Sequence, residues 1–398
     1  KFSGSFLKML ERRSLGEISR TPHTKFEINN TPLTELVFTR DGFAGGFTIL
    51  YLKKPPTSVI SSTHFTGNIS GFNGSLLSQD KKVHKRSHLQ SGLLKSGSNF
   101  FSSRVCLYQN KYCRVSVLRG DPTDSTFAFT NGDFDELYFV HQGRGSLLTT
   151  FGKLDFKKND YILIPRATAY KFKNCTDAQF FLTEGSPAIE IPLEFKNPHG
   201  QLKLEAPYTH RDFKSPGDLL TQSECSEFCN MVTLVNGTFH EHTYSHSPVQ
   251  TIGWDGAVYP ITFSIDDYLP KTSKIHLPPN LHMTFKSSRF VVCSFVPRLV
   301  DYGENSVPCP YPHSNAHCDE ILYYVSGDFT SRRGIGPGSI SHHPAGIPHG
   351  PQPGNYLASI GTKSTNELAV MVDTWDPLMQ TENSLSIEDE GYMDSWKD

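Results

Sequence analysis

Two short segments near the C-terminus constrain this chain more than anything else in it. Residues 313–327 read His-Ser-Asn-Ala-His-Cys-Asp-Glu-Ile-Leu-Tyr-Tyr-Val-Ser-Gly, and residues 338–349 read Gly-Ser-Ile-Ser-His-His-Pro-Ala-Gly-Ile-Pro-His. Each is a short run with β-branched or aromatic residues, bounded by glycine or proline, so each predicts a strand closed by a turn. Pro344 and Gly346 make the tight turn that returns His349 toward the start of the preceding strand. His313, Glu320 and His349 then meet at neighbouring strand ends, two imidazoles and one carboxylate.

The rest of the chain is punctuated the same way. Its 31 glycines, 26 prolines, 28 phenylalanines and 16 tyrosines break it into short alternating runs, and long stripes of 3.6-residue period are scarce. Strands are expected at Thr48–Leu52, Tyr112–Leu118, Glu136–Val140, Tyr161–Ile164, Phe290–Phe295 and Glu320–Val325. The polar segment Asp212–Ser226 suits a short surface helix or a loop. This is an all-β pattern of the jelly-roll type.

An internal echo points to duplication. Glu136 precedes Gly143 by seven residues, as Glu320 precedes Gly327, and Ile164-Pro165-Arg166-Ala167-Thr168-Ala169-Tyr170 matches His343-Pro344-Ala345-Gly346-Ile347-Pro348-His349 in the position of its first proline. The first copy has Tyr170 where the second has His349, and Phe129 where it has His313. The expected division is therefore residues 1–250, with a degenerate metal-free barrel at about 100–190 and a connector, then a metal-binding barrel at 251–380. The acidic tail 381–398 has little to bury and is expected to fray or to pack on a partner.

The paired segments resemble the two motifs of the cupin family, H-x-H-x3-4-E-x6-G and G-x5-P-x-G-x2-H, with Asn315 in place of the second histidine. The whole is read as a bicupin. Two His and one carboxylate are the ligand set of an open non-haem iron(II) site, with three positions left for a bidentate substrate and dioxygen. His317 and Asp319 are rival ligands, but successive strand residues face opposite ways, which favours Glu320 over Asp319. The same parity favours His343 over His342 for the cavity. A second histidine group, His240, His242 and His246, lacks the turns that would fix it and reads as a solvated connector.

Composition removes other classes. Lys and Arg total 38 against 40 Asp and Glu, so there is no basic field for nucleic acid or an anionic membrane surface. No apolar run approaches a bilayer span, and Lys1-Phe2-Ser3-Gly4 does not open a signal core, although a chain beginning at Lys1 is compatible with a removed leader. Eight cysteines without C-x-x-C spacing imply no disulfides, and a cytoplasmic location is expected.

Beyond the motifs, the segments 253–256, 290–298, 319–324, 347–354 and 367–374, with Pro22-His23-Thr24 and the 42–57 stretch, resemble the homogentisate 1,2-dioxygenase family, its bacterial branch above all. The resemblance implies that His313, Glu320 and His349 hold Fe(II). It also implies that His276 is a base near the bound phenol and that His343 hydrogen-bonds the substrate or an oxygen intermediate. The substrate is expected against His343, His349 and Tyr311. The implied reaction converts homogentisate and O2 to 4-maleylacetoacetate, in tyrosine and phenylalanine catabolism, in a homo-oligomer, a trimer or hexamer. Animal members have an Arg after the first ligand His and a Tyr beyond the ligand Glu, where this chain has Ser314 and Phe329. Its His313-to-Glu320 spacing is also one residue longer. The alternatives are a related dioxygenase for another hydroquinone or aromatic acid, a zinc or manganese cupin, and a non-catalytic cupin.

Overall fold

The computed structural model describes residues 11–81, 83–123, 126–329 and 334–397. The opening Lys1–Gly4 stretch weighed above lies outside them. Two antiparallel sheets carry the fold, and they repeat one another strand for strand. In the first, within a larger sheet, the order is Arg104–Gln109, Cys113–Arg119, Ala169–Gly185, Asp135–Thr149, Asp160–Ile164, Ile261–Ser264. In the second it is Met283–Lys286, Phe290–Phe295, Leu368–Thr374, Asp319–Ser326, Ser339–His343, Ser87–Gln90.

The register repeats as well. Glu136 lies opposite Ile164 on one side and Glu184 on the other; Glu320 lies opposite His343 and Asp373. Phe129 pairs with Tyr170, and His313 with His349. Gly143 and Gly327 both have φ +93°, and the turn residues Ala167 and Gly346 have φ +67° and +79°. The duplicated cupin read from the motif echo is thus built into the hydrogen bonding.

The expected cut at residue 250 does not divide the sheets. Ile261–Ser264 pairs with Asp160–Ile164 and completes the first sheet, while Ser87–Gln90 pairs with Ser339–His343 and completes the second. Each half lends its sixth strand to the other, because the edge of each sheet offers unpaired backbone groups that the partner half can satisfy. The acidic tail is also not frayed. Ile387 and Tyr392 are buried, the Gln90 N–H donates to the Ile387 carbonyl at 2.8 Å, and the Arg86 guanidinium lies 4.1 Å over the Trp396 ring. The tail holds the lent strand in place.

Strand alternation explains where the apolar side chains go. Leu137, Phe139 and Phe181 of the first sheet, with Ile321, Tyr323 and Val325 of the second, belong to one shared core, and the Phe181 and Tyr323 rings stack at 4.5 Å. The opposite face of the first sheet, with Tyr138, Val140, Phe180 and Leu182, fills the first barrel together with Phe129, Tyr170 and Phe172. A separate four-stranded sheet contains Phe47–Leu52 and Thr251–Gly256, from which buried Trp254 donates its indole N–H to the Phe151 carbonyl at 2.7 Å. Within the 212–226 segment, Phe213–Lys214 pairs with Ile261–Ser264 and Gln222–Ser226 forms a short helix started by a Thr221/Glu224 capping box.

Candidate metal centre

His313, Glu320 and His349 come together: one ligand atom from each lies within 4.8 Å of the others, and among the described residues no other His, Cys, Asp or Glu group of three does so. Glu320 heads the Asp319–Ser326 strand, while the backbones of His313 and His349 bond to each other in both directions at 2.8 Å. His313 Nε2 and His349 Nε2 each sit 3.7 Å from a Glu320 oxygen. Their other ring nitrogens face backbone carbonyls, Nδ1 of His313 that of Tyr311 at 3.3 Å and Nδ1 of His349 that of Ile347 at 3.1 Å. That leaves the Nε2 atoms for the centre, the usual way an outer contact sets a ligand tautomer.

Electrostatics favour an ionised ligand. Burial pushes the Glu320 carboxyl up, yet the imidazoles of His313, His343 and His349 outweigh it and hold the group well below the usual carboxylate range. The carboxylate in turn pulls the His313 imidazole up. Asp373, directly across the ladder, goes the other way: burial and the Glu320 charge push it well above its ordinary value. Nε2 of His349 and Oδ1 of Asp373 are buried without a hydrogen-bond partner. A buried nitrogen lone pair aimed at a carboxylate beyond hydrogen-bond reach fits a divalent cation between them.

His343 is placed differently from its expected role. It is fully buried, its Nδ1 meets Glu320 Oε1 at 2.6 Å, and its ring stacks on His349 at 4.7 Å. It holds the ligand carboxylate rather than presenting that nitrogen to a substrate. His342 points to the other face, with Nε2 at 2.9 Å from Asp319. Asp319 also accepts the Ala345 and Leu378 amides, so the rival ligand is occupied by structural contacts.

Tyr311 and His276 lie on the exposed side, their rings 5.0 Å apart, with Tyr311 6.2 Å from His313. The Phe329 ring packs on Tyr324 at 4.7 Å and offers no polar group. The His240 and His242 segment is a strand, Thr238–Tyr244, rather than a connector, because it pairs with Val59–His64. His246 lies beyond that strand, with Nε2 at 3.0 Å from the Pro55 carbonyl, and does not join its neighbours. Asp373 and Asp301 carry no role in the sequence reading. The echo could have pointed to Asp373, since Glu184 stands in the same register; nothing in the local pattern marked Asp301.

Residues 116–265 match the family model described as homogentisate 1,2-dioxygenase N-terminal. A Saccharolobus solfataricus protein named "Putative dioxygenase" is 36% identical over 384 residues, covering 96% of this chain and 97% of its own length. The homogentisate 1,2-dioxygenase of Sinorhizobium medicae is 26% identical over 290 residues, which cover 67% of this chain and 62% of that enzyme. Among solved structures, a cupin 2 conserved barrel domain protein from Leptotrichia buccalis superposes with a TM-score of 0.31 at 9% identity, covering 74% of this chain and 98% of its own. With 96% of its length matched at 36% identity to a putative dioxygenase, residues 116–265 matching the family model and about two thirds of the chain matching enzymes named homogentisate 1,2-dioxygenase, this chain belongs to the homogentisate 1,2-dioxygenase family.

Proposed function

We propose that the protein is an iron(II)-dependent ring-cleaving dioxygenase that converts homogentisate and O2 to 4-maleylacetoacetate. The observation that carries this is the convergence of His313, Glu320 and His349 within 4.8 Å. Iron(II) held there supplies open coordination positions and the electrons that activate dioxygen. The chain's own residues do the rest. Glu320 brings the negative charge, His343 keeps its carboxylate oriented, and His313 and His349 present Nε2. His276, on the exposed side with Tyr311, accepts the phenolic proton, which makes the ring electron-rich; a neutral imidazole suits that transfer near neutral pH. The second sheet, from Met283–Lys286 to Leu368–Thr374 with the lent strand Ser87–Gln90, forms the catalytic unit, and 381–397 brace it. The protein works as a cytoplasmic homo-oligomer, a trimer or hexamer.

Ser314 and Phe329 favour a second reading, a dioxygenase for another hydroquinone or aromatic acid, since neither supplies the Arg or Tyr found in animal members. One assay separates the two. Iron-reconstituted protein is tested in an oxygen electrode against homogentisate, gentisate and related hydroquinones. Uptake strongest with homogentisate supports the first reading, uptake confined to another substrate supports the second, and no uptake with any of them overturns both. No helix among the described residues is long and apolar enough to cross a membrane.

A further inference from the structure

The 273–277 loop, which carries His276, belongs to no strand and closes around one carboxylate. Asp301 Oδ1 accepts the Ser273 amide at 3.1 Å, and Oδ2 accepts the Leu277 amide at 3.3 Å. The same Oδ2 lies 3.3 Å from Nδ1 of His276. The two segments are tied at their backbones as well. The Tyr302 amide donates to the Ser273 carbonyl at 2.9 Å, and Gly303 approaches so closely that a Cβ there would meet the Lys274 carbonyl at 2.4 Å. Asp301 is largely enclosed, with 19% of its side chain exposed, whereas His276 is 53% exposed. An enclosed carboxylate beneath a half-exposed imidazole is the arrangement that orients a base while leaving its far nitrogen free.

Asp301 also lies on the segment that leads to the metal centre, since the chain runs from it through Tyr311 to His313. The Tyr311 ring stands between the two imidazoles, 5.0 Å from His276 and 6.2 Å from His313. One carboxylate therefore fixes the His276 loop against the segment bearing a ligand. The nearby His282 has no such geometry. Its ring packs at 4.7 Å on Phe295, and burial and Arg298 push it down to about 3 against the opposing pull of Asp301.

We propose that Asp301 is the positioning residue for His276, accepting its Nδ1–H and so leaving Nε2 as the proton acceptor toward the substrate. The proposal rests on the reading of His276 as the base, and its test separates the two. In D301N the amide can donate to Nδ1, which moves the ring proton to Nε2 and disables the base, the same tautomer logic that holds in serine-protease triads. With homogentisate, D301N is expected to keep wild-type iron content and KM while kcat falls about 100-fold, within the usual contribution of a positioned base. D301N/H276A should be no slower than H276A alone, because the two residues act as one unit. Ring 15N shifts of His276, assigned by comparison with H276A, should report Nδ1–H in the wild type and Nε2–H in D301N. These shifts need no turnover, so they decide the pairing even where the wild type oxidises no hydroquinone, a result that removes the base reading alone. Unchanged ring shifts in D301N, additive losses in the double variant, or iron lost along with turnover would each overturn the proposal, the last by making Asp301 a brace of the ligand segment.

Discussion

Each barrel holds a pair of facing acids in the same register, and the two treat that charge in opposite ways. In the first, Glu136 and Glu184 face each other across the ladder, and the fully buried Arg104 lies between them with a nitrogen 2.6 Å from each. Its guanidinium rests 4.0 Å over Phe72 and bonds the Tyr138 hydroxyl at 3.1 Å, which in turn meets the Tyr170 hydroxyl at 2.8 Å. Burial still pushes Glu136 up against the pull of Arg104. In the second barrel, Glu320 faces Asp373 in the same register, and among the described residues the ion-pair contacts of Glu320 are to imidazoles, with no Lys or Arg. One internal arginine closes the first cupin interior; in the second, histidines stand in place of Phe129 and Tyr170 and converge with Glu320 as a candidate dication site. On the proposed function, bound iron has the role that Arg104 has in the first barrel.

The sharpest way to break this comparison is metal stoichiometry. Removing a ligand by H349A, H313A or E320A should abolish iron retention, and turnover with it, as measured by metal analysis of the purified variant. E136Q, the matching change in the first barrel, should leave one iron per chain. A second iron in the wild type, or normal loading of H349A, would show that the barrels are not divided as described.

The next largest effect belongs to Arg104. R104M leaves Glu136 and Glu184 buried without a cation and should destabilise the protein by about 3–5 kcal/mol in urea unfolding. Replacing all three with apolar residues, R104M/E136L/E184L, should recover most of that loss, because a packed apolar cluster no longer carries the desolvation cost. If R104M alone proves neutral, the internal cation is not what holds the first barrel closed.

A smaller effect tests the seam between the barrels. His141 of the first sheet packs edge-on against Tyr323 of the second at 5.5 Å, and burial, with help from Lys158, pushes it down from 6.5 to about 4. Its ring stays neutral in the fold while the unfolded chain takes up the proton between those values. Stability therefore rises with pH across that window and falls on acidification from 6.5 toward 4. H141Q should flatten that dependence by up to one proton, about 1.4 kcal/mol per pH unit. An unchanged slope in urea midpoints measured from pH 4 to 6.5 would mean that the ring is solvated.

Much of this was legible in the residues, and the misses share a cause. The convergence of His313, Glu320 and His349 could be read because strand alternation and a Pro-x-Gly turn fix geometry over a few residues, and the strand Phe290–Phe295 has the bounds its composition predicts. The exchange of Ile261–Ser264 and Ser87–Gln90 was not legible, since each pairs with a strand far away in the sequence and its own pattern says only that it is a strand. The tail misled for a similar reason: its acidic composition hides Ile387 and Tyr392, which find a surface only once the second sheet exists. His343 was assigned to the correct face, but which partner on that face it meets depends on side-chain distances that spacing does not encode. Arg104 looks like an ordinary charged residue until the first barrel closes around it.

The finest comparison is a single torsion. Ala167 and Gly346 occupy the same turn of the two barrels, at φ +67° and +79°, a region that costs an L residue roughly 1–2 kcal/mol. At Gly346 nothing lies within 4 Å of where a Cβ would be, so the cost of G346A is torsional alone, partly offset by the lower entropy of the unfolded Ala chain. A167G reverses both contributions. Thermal melts should therefore show G346A destabilised and A167G stabilised, each by about 0.5–1 kcal/mol. The iron content of G346A reports separately on whether the turn still delivers His349. A loss in A167G would mean that the first barrel has relaxed its turn around the alanine methyl, and the two copies would then be equivalent in register but not in strain.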